Sequence, residues 1–428
     1  MHPIPCRRVS IALLASALCA ASASSHELDL APAEAAPAPD EEPPRAPAAG
    51  GVRYDDGFRI TSADGRNEFV IEGLFQVMGR WDGAREPRSD FVLKRMRPEF
   101  SGRIDEHYRF KLEPNFTEHE VELEEAWIGA DVWHGSARLM AGRMKGPFGL
   151  EEMRSRRNID FPVFSILNQF SPAEDHGLFL YGLTESEQLE WNVAVYNGTG
   201  AGDTGASKDV AARLMVHPFA GDGDSVWEGL QLGVAGTIGS QHESVDGGFV
   251  RNAARMSLTE YASGARLDGT RSRVGLEAAW YRGAWMAQAE ALYQTQEMTG
   301  TGGSERVDYS GAYLNVSHVL TGESKSFGRL RPDHPFDPYE GTGRGAWVVA
   351  ARVSYLEQGR GLLDAGLVVP GTYTEGVTSL SLGLNWILSD YVMLRNSWIH
   401  SEYSDAVDFG AGLTEREDTL MIELQLGF

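Results

Sequence analysis

The residues with the most obvious chemical capacity are basic and come in a spaced series. Arg95, Arg97 and Arg103 share one parity of an extended segment with Glu99, opposite Met96, Phe100 and Ile104. Arg109 and Lys111 repeat the arrangement a few residues on. A third group, Arg138, Arg143, Lys145, Arg154, Arg156 and Arg157, faces only Glu151 and Glu152 between residues 138 and 157. Cations held in water between low-dielectric walls focus the field and offer donors to an anion that has lost part of its hydration. A plainer explanation covers the same placement. Arg or Lys facing lipid at mid-membrane costs about 2 to 4 kcal/mol, so inward charges follow from stability alone and are open to pairing with carboxylates across strands.

Other chemistries find little support. Glu118, His119, Glu120, Glu122, Glu124 and Glu125 form a carboxylate-rich stretch that reads as a solvated rim before it reads as a metal site. His107, His176, His217, His242, His318, His334 and His400 are scattered without ligand spacing. No nucleophile elbow or phosphate-cradling Gly-rich loop is present, so neither catalytic residues nor cofactors nor metals are expected. A barrel enzyme on the outer face is the alternative of another class, but no Ser, His and polar orienter are spaced so as to compel it. The chain holds 38 basic and 61 acidic residues, a net charge of −23. Nucleic acid, which needs a basic face, is therefore not an expected partner.

Positioning such side chains is a task for strands. From Asn67 to Trp81, Phe69, Ile71, Phe75, Val77 and Trp81 fall on one parity, and Glu68, Glu72, Gln76 and Arg80 on the other. Leu189, Trp191, Val193 and Val195 alternate with Glu190 and Asn192, and Leu380, Leu382, Leu384 and Trp386 with Ser381 and Asn385. The pattern predicts strands over 67–81, 90–104, 106–117, 121–133, 135–145, 174–183, 187–197, 208–219, 227–240, 271–282, 284–296, 307–320, 344–357, 376–388, 390–403 and 416–428. Segments of ten or more residues suit a tilted membrane crossing, which takes roughly nine to eleven, better than the usual globular strand. Sixteen is even, as a closed transmembrane antiparallel β-barrel with both termini on one side requires.

With a periplasmic amino terminus the odd-numbered connections are external, and 146–173, 241–270 and 358–375 are long, as external loops are. The connection 321–343 breaks the rule as a long periplasmic segment. Trp81, Trp127, Trp133, Tyr181, Trp280, Trp285, Trp386 and Trp398 read as interfacial girdle residues.

The ends of the chain place this barrel in a compartment. Arg7 and Arg8 precede an apolar stretch from Val9 to Ala20, with Ala21-Ser22-Ala23 as a cleavage site, so residues 1–23 read as a secretory signal. Cys6 and Cys19, the two cysteines, both lie within it. Losing Arg7 and Arg8 leaves 36 basic against 61 acidic residues. Residues 24–51 form an Ala, Pro and acidic linker with nothing to bury, and 52–428 form the barrel. The last strand sets Leu420, Ile422, Leu424, Leu426 and Phe428 on one face, toward lipid. A strand closing on an aromatic carboxyl-terminal residue resembles the insertion signal read by the outer-membrane assembly machinery. Phe428 is that residue here.

From about Gly57 to Phe428 the chain resembles the phosphate-selective porin O and P family. The likeness rests on Gly57-Phe58 with Gly73-Leu74-Phe75-Gln76, on Leu93-Lys94-Arg95-Met96-Arg97-Pro98-Glu99-Phe100-Ser101-Gly102, and on Gly142-Arg143-Met144-Lys145-Gly146-Pro147-Phe148-Gly149-Leu150-Glu151. Tyr196-Asn197-Gly198-Thr199-Gly200, Leu320-Thr321-Gly322-Glu323-Ser324, Gly383-Leu384-Asn385-Trp386 and the closing strand complete it. The resemblance implies a homotrimer in the outer membrane of a Gram-negative-type bacterium, its third external loop folded into the lumen. It also implies passive diffusion of anions such as phosphate or polyphosphate. On that reading Arg95, Arg97, Arg103, Arg109, Lys111, Arg143, Lys145, Arg154, Arg156 and Arg157 are the pore-lining or constriction candidates. The acidic balance of the whole chain leaves a general or cation-preferring porin of the same fold as the alternative.

Overall fold

The structure is a computed structural model in which residues 50–85, 88–117, 121–199 and 207–428 are described. The expected signal, the linker up to residue 49 and the acidic stretch at 118–120 lie outside the described residues.

Sixteen antiparallel strands close into one barrel: β1 (Glu68–Asp82), β2 (Ser89–Ile104), β3 (Tyr108–Phe116), β4 (Val121–Val132), β5 (Ala137–Lys145), β6 (Glu174–Leu183), β7 (Leu189–Tyr196), β8 (Asp209–Val216), β9 (Gly229–Gln241), β10 (Arg266–Arg282), β11 (Trp285–Gly300), β12 (Gly303–Val319), β13 (Ala346–Gln358), β14 (Gly376–Ile387), β15 (Val392–Asp408) and β16 (Leu413–Gly427). Each expected strand is present. β10 and β15 extend beyond the expected limits, because their ends are paired with neighbours where the alternation in the sequence has already faded. β16 pairs with β1 from Thr419↔Asp82 to Gly427↔Leu74, which closes the ring. Below the end of β16, a short hairpin (Gly51–Tyr54 and Phe58–Thr61) continues the pairing along β1, from Phe58↔Ile71 to Thr61↔Glu68.

The two faces invert the pattern of a soluble protein. On β16, Thr419, Met421, Glu423 and Gln425 are buried, while Leu420, Ile422, Leu424 and Leu426 are exposed. The same holds for Val274 and Leu276 on β10. A bilayer solvates the apolar face, and ladder pairing takes up strand backbone groups that lipid could not. Aromatic pairs gather at the strand ends, with Trp347 stacked on Trp386 at 5.3 Å and Trp227 beside Trp280. At the seam, Phe428 lies over Gly73, where an added Cβ would come within 2.8 Å of its ring. A side chain at position 73 would push the terminal ring away.

One irregularity redirects a charge. Gln76 pairs with Arg95 and Val77 with Leu93, so Lys94 is an extra residue in β2. Such a bulge re-aims side chains. Lys94 would otherwise share the outward parity of Met96. Instead its Nζ lies 2.9 Å from Glu423 Oε2. Glu423, fully buried, also accepts from Arg395, and Arg95 donates to Gln76. Removing that carboxylate strands two cations in the interior, which typically costs about 3 to 5 kcal/mol. Glu423→Ala should therefore lower the denaturant midpoint of the folded barrel, read by heat-modifiable gel mobility. An unchanged midpoint would show that Glu423 carries no such burden.

Candidate functional site

The segment joining β5 to β6, 146–173, is held by side chains on the buried face of the barrel. Gly149, with φ +81° in the left-handed region, turns the chain so that consecutive amides point at the wall. The Gly149 N–H donates to Glu277 Oε1 at 3.1 Å, and those of Leu150 and Glu151 to Glu290 at 2.7 and 3.0 Å. Glu151 in turn accepts from Arg352 at 2.7 Å and from the Ser165 N–H at 2.8 Å. Asn385 donates to the Asp160 carbonyl at 2.7 Å, and Arg395 and Gln425 both donate to the Arg157 carbonyl. Partners thus run from β10 round to β16. Arg157 then bridges the seam, donating to the carbonyls of Gly73 and Phe428 at 3.0 and 3.1 Å.

The long connection 320–345 is packed against the barrel interior. It turns inward to meet the tip of 146–173. Lys325 pairs with Asp160, and Phe327 packs on Tyr281 with the Arg154 guanidinium 5.4 Å from its ring centre. Arg329 reaches Asp56 in the amino-terminal hairpin at 3.1 Å. Leu330 is buried with Ala346, Val348 and Ile387. Its length is used in packing.

The interior is divided. Val163, Ile166, Leu167 and Phe170 join Val250, Leu258, Leu362 and Leu367 from the connections 242–265 and 359–375 in an apolar cluster. That cluster also takes in Tyr309, Leu356, Val377, Ile399 and Met421 from β12 to β16. A cavity of about 460 Å³ remains on the other side, lined by β1 to β9, by 147–158 and by 327–329.

Of the ten sequence candidates, Arg97, Lys111, Lys145, Arg156 and Arg157 line this cavity. Arg97 pairs with Glu113 at 3.2 Å and with Glu124, and Lys111 with Glu99, Glu113 and Glu125 at 3.3, 3.2 and 3.6 Å. Arg156 faces Glu152 at 3.1 Å and Glu174 at 3.6 Å, and Arg157 faces Glu72 at 3.7 Å. Lys145 differs. Its ammonium donates to the carbonyls of Glu152 and Arg154 at 3.0 and 3.3 Å, and among the described residues no carboxylate is within ion-pairing distance of it. The other five lie elsewhere. Arg95 is turned to Gln76, Arg103 donates to the Gly65 carbonyl, and Arg109 pairs with Asp131 at 2.8 Å. Arg143 has the parity opposite to Met140 and Met144 and donates to the Leu123 carbonyl. Arg154 is 2% exposed, packed between Phe327, Met286 and Gln288, as a pin for the loop.

Several lining groups escaped the candidate set. Arg138, Arg213 and Arg329 complete the lining cations, making eight against the six carboxylates of Asp56, Glu72, Glu99, Glu113, Glu125 and Glu190. Arg213 lies on a regular inward parity and pairs with Glu190 and Glu277 at 2.7 and 2.8 Å; alternation alone identifies it. The girdle assignment is corrected at two positions, since Trp127 and Tyr181 line the cavity. Trp127 shares the inward parity of Glu125, to which its indole N–H donates at 3.1 Å.

The Asp160 anchor makes the loop sensitive to strong acid. Burial alone would raise this carboxyl, but the Lys325 ammonium and the Arg154 guanidinium beside it hold it at about 2, below its ordinary 3.8. A depressed carboxylate stabilises the folded arrangement fully above its ordinary value, and the contribution is lost as pH falls from there through about 2. Open-channel current noise should stay constant from neutral pH to about 4 and rise below it. Asp160→Asn should be noisy at neutral pH; equal noise in variant and wild type would remove this anchor from the account.

Solved structures with the same fold include the outer membrane channel DcaP of Acinetobacter baumannii, at TM-score 0.55 and 8% identity over 85% of this chain and 97% of that one. OmpT of Vibrio cholerae in its trimer form gives 0.50 and 10% over 85% and 99%. OmpF of Salmonella typhi, in complex with daunomycin, gives 0.50 and 10% over 88% and 100%. An uncharacterized protein of Caulobacter vibrioides is 29% identical over 212 residues, which is 46% of this chain and 40% of that protein's length. Residues 75–428 match the family model of the phosphate-selective porins O and P. With its closed sixteen-stranded barrel, the chain belongs to that family.

Proposed function

We propose that the barrel passes small anions, phosphate among them, by passive diffusion along the cavity between 146–158 and the β1–β9 wall. On this reading the third loop constricts the passage. The observation that supports it most directly is local charge. In a chain of net charge −23, the cavity lining carries eight cations against six carboxylates. Most of these cations also meet carboxylates just behind the lining, among them Glu124, Glu152, Glu174 and Glu277. The charge left to act on an ion is that of Lys145, and a cation held between low-dielectric walls raises the local concentration of anions.

The cations divide by role. Arg97, Lys111 and Arg213 are held by carboxylates and keep the wall wet. Arg156 and Arg157 on the loop likewise face Glu152, Glu174 and Glu72, whereas Lys145, whose ammonium donates to carbonyls, is the lining cation most open to a passing anion. Because most of the lining is paired, the preference for anions is modest. Export by cleavage near Ser24, a spacer role for 24–51 and a homotrimeric assembly belong to the same proposal; OmpT of Vibrio cholerae, of similar fold, is described in a trimer form.

In planar bilayers under a salt gradient, the wild type should show a reversal potential on the anion side. Lys145→Glu replaces the cation with an acid, and the anion-to-cation permeability ratio should fall by about tenfold, within the range over which lining charge alters local ion concentration. A wild-type channel that prefers potassium over chloride would sink the proposal.

A further inference from the structure

The interior of a water-filled porin is ordinarily polar, and here part of the cavity is not. Trp127, Met140, Met144, Phe179, Met215 and Phe327 line it together. They come from β4, β5, β6, β8 and the 320–345 connection, so the apolar surface is assembled from separate elements. Trp127 and Met140 are partly buried, packed on the cluster of Met144, Phe179 and Tyr196. Across the cavity, Leu150, Met215 and Phe327 belong to a second apolar cluster.

A hydrated inorganic anion gains nothing from thioethers and rings, because it needs donors and water. An organic molecule does gain. A concave site of this volume, apolar over much of its wall and carrying a few placed charges, has the character of a small-molecule pocket. Methionine side chains adapt to different apolar shapes, and Trp offers a flat face to a ring. Lys145 follows Met144 directly in sequence, which sets a cation beside the apolar wall.

We propose that the cavity is a binding subsite for small amphipathic organic anions, carboxylates with an aromatic or branched apolar body. The body lies against Trp127 and Met140 and the carboxylate faces Lys145 and Arg156. This rests on the anion reading above and narrows its substrate class.

The probes are benzoate and inorganic phosphate, each titrated against the chloride current through single channels at constant ionic strength. Benzoate should block at a concentration about tenfold lower than phosphate, as expected for burying roughly two methylene equivalents of apolar surface. Trp127→Gln and, as a milder change, Met140→Gln should each bring the benzoate-to-phosphate ratio toward one. Lys145→Ala should weaken both anions alike. Equal block by the two anions in an anion-preferring wild type would overturn the subsite and leave anion diffusion standing. A ratio untouched by either apolar replacement would overturn it as well. A cation-preferring wild type would instead remove the anion reading on which the subsite rests.

Discussion

A bilayer core cannot solvate a charge or an unpaired peptide group, and the organisation of this protein follows from that constraint. It forces the ladder to close at β1 and β16, and it sends charged side chains of the strands inward. Once inside, those charges must find partners, because an isolated one is expensive. Glu423 illustrates the result. Fully buried on the closing strand, it holds Arg395 and the bulged Lys94, so the charge pattern and the barrel seam stabilise each other.

The same requirement explains how a long connection can be fixed with only two short helical turns, Leu150–Met153 and Ile166–Phe170. The amides of Gly149, Leu150 and Glu151 are taken up by Glu277 and Glu290, and Glu151 by Arg352. Backbone that would be costly to bury becomes part of the wall's own hydrogen bonding. The connection 320–345 completes the arrangement through Lys325 and Asp160. Apolar side chains from three connections then fill the β12–β16 side, and the charged cavity is left against β1–β9.

The barrel was legible because alternation is a local property of the chain: lipid outside and water inside write themselves into each strand separately. The inward parity of Arg97, Lys111 and Arg213 could be read in the same way. What could not be read depends on contacts distant in sequence. The bulge that turns Lys94 inward is a register event between β1 and β2, although a lysine on an otherwise lipid-facing parity, costly if left there, is a hint of one. Arg154 and Arg156 look alike in sequence, yet one is a packed pin under Phe327 and the other lines the cavity. Trp127 resembles a girdle residue until the parity of Glu125 is considered. The length of 320–345 makes sense only once its partner, the tip of 146–173, is in place.

Under the proposed function, solutes travel on the β1–β9 side of the interior. Cys6 and Cys19 are the only cysteines and both lie in the expected signal, so a single introduced thiol reports on one position alone. Asn192 lines the cavity, whereas Ser379 on β14 is 1% exposed on the filled side. An anionic methanethiosulfonate reagent added to open channels should reduce the current of Asn192→Cys and leave Ser379→Cys unmodified. Equal modification and equal loss of current at the two positions would contradict an off-centre path.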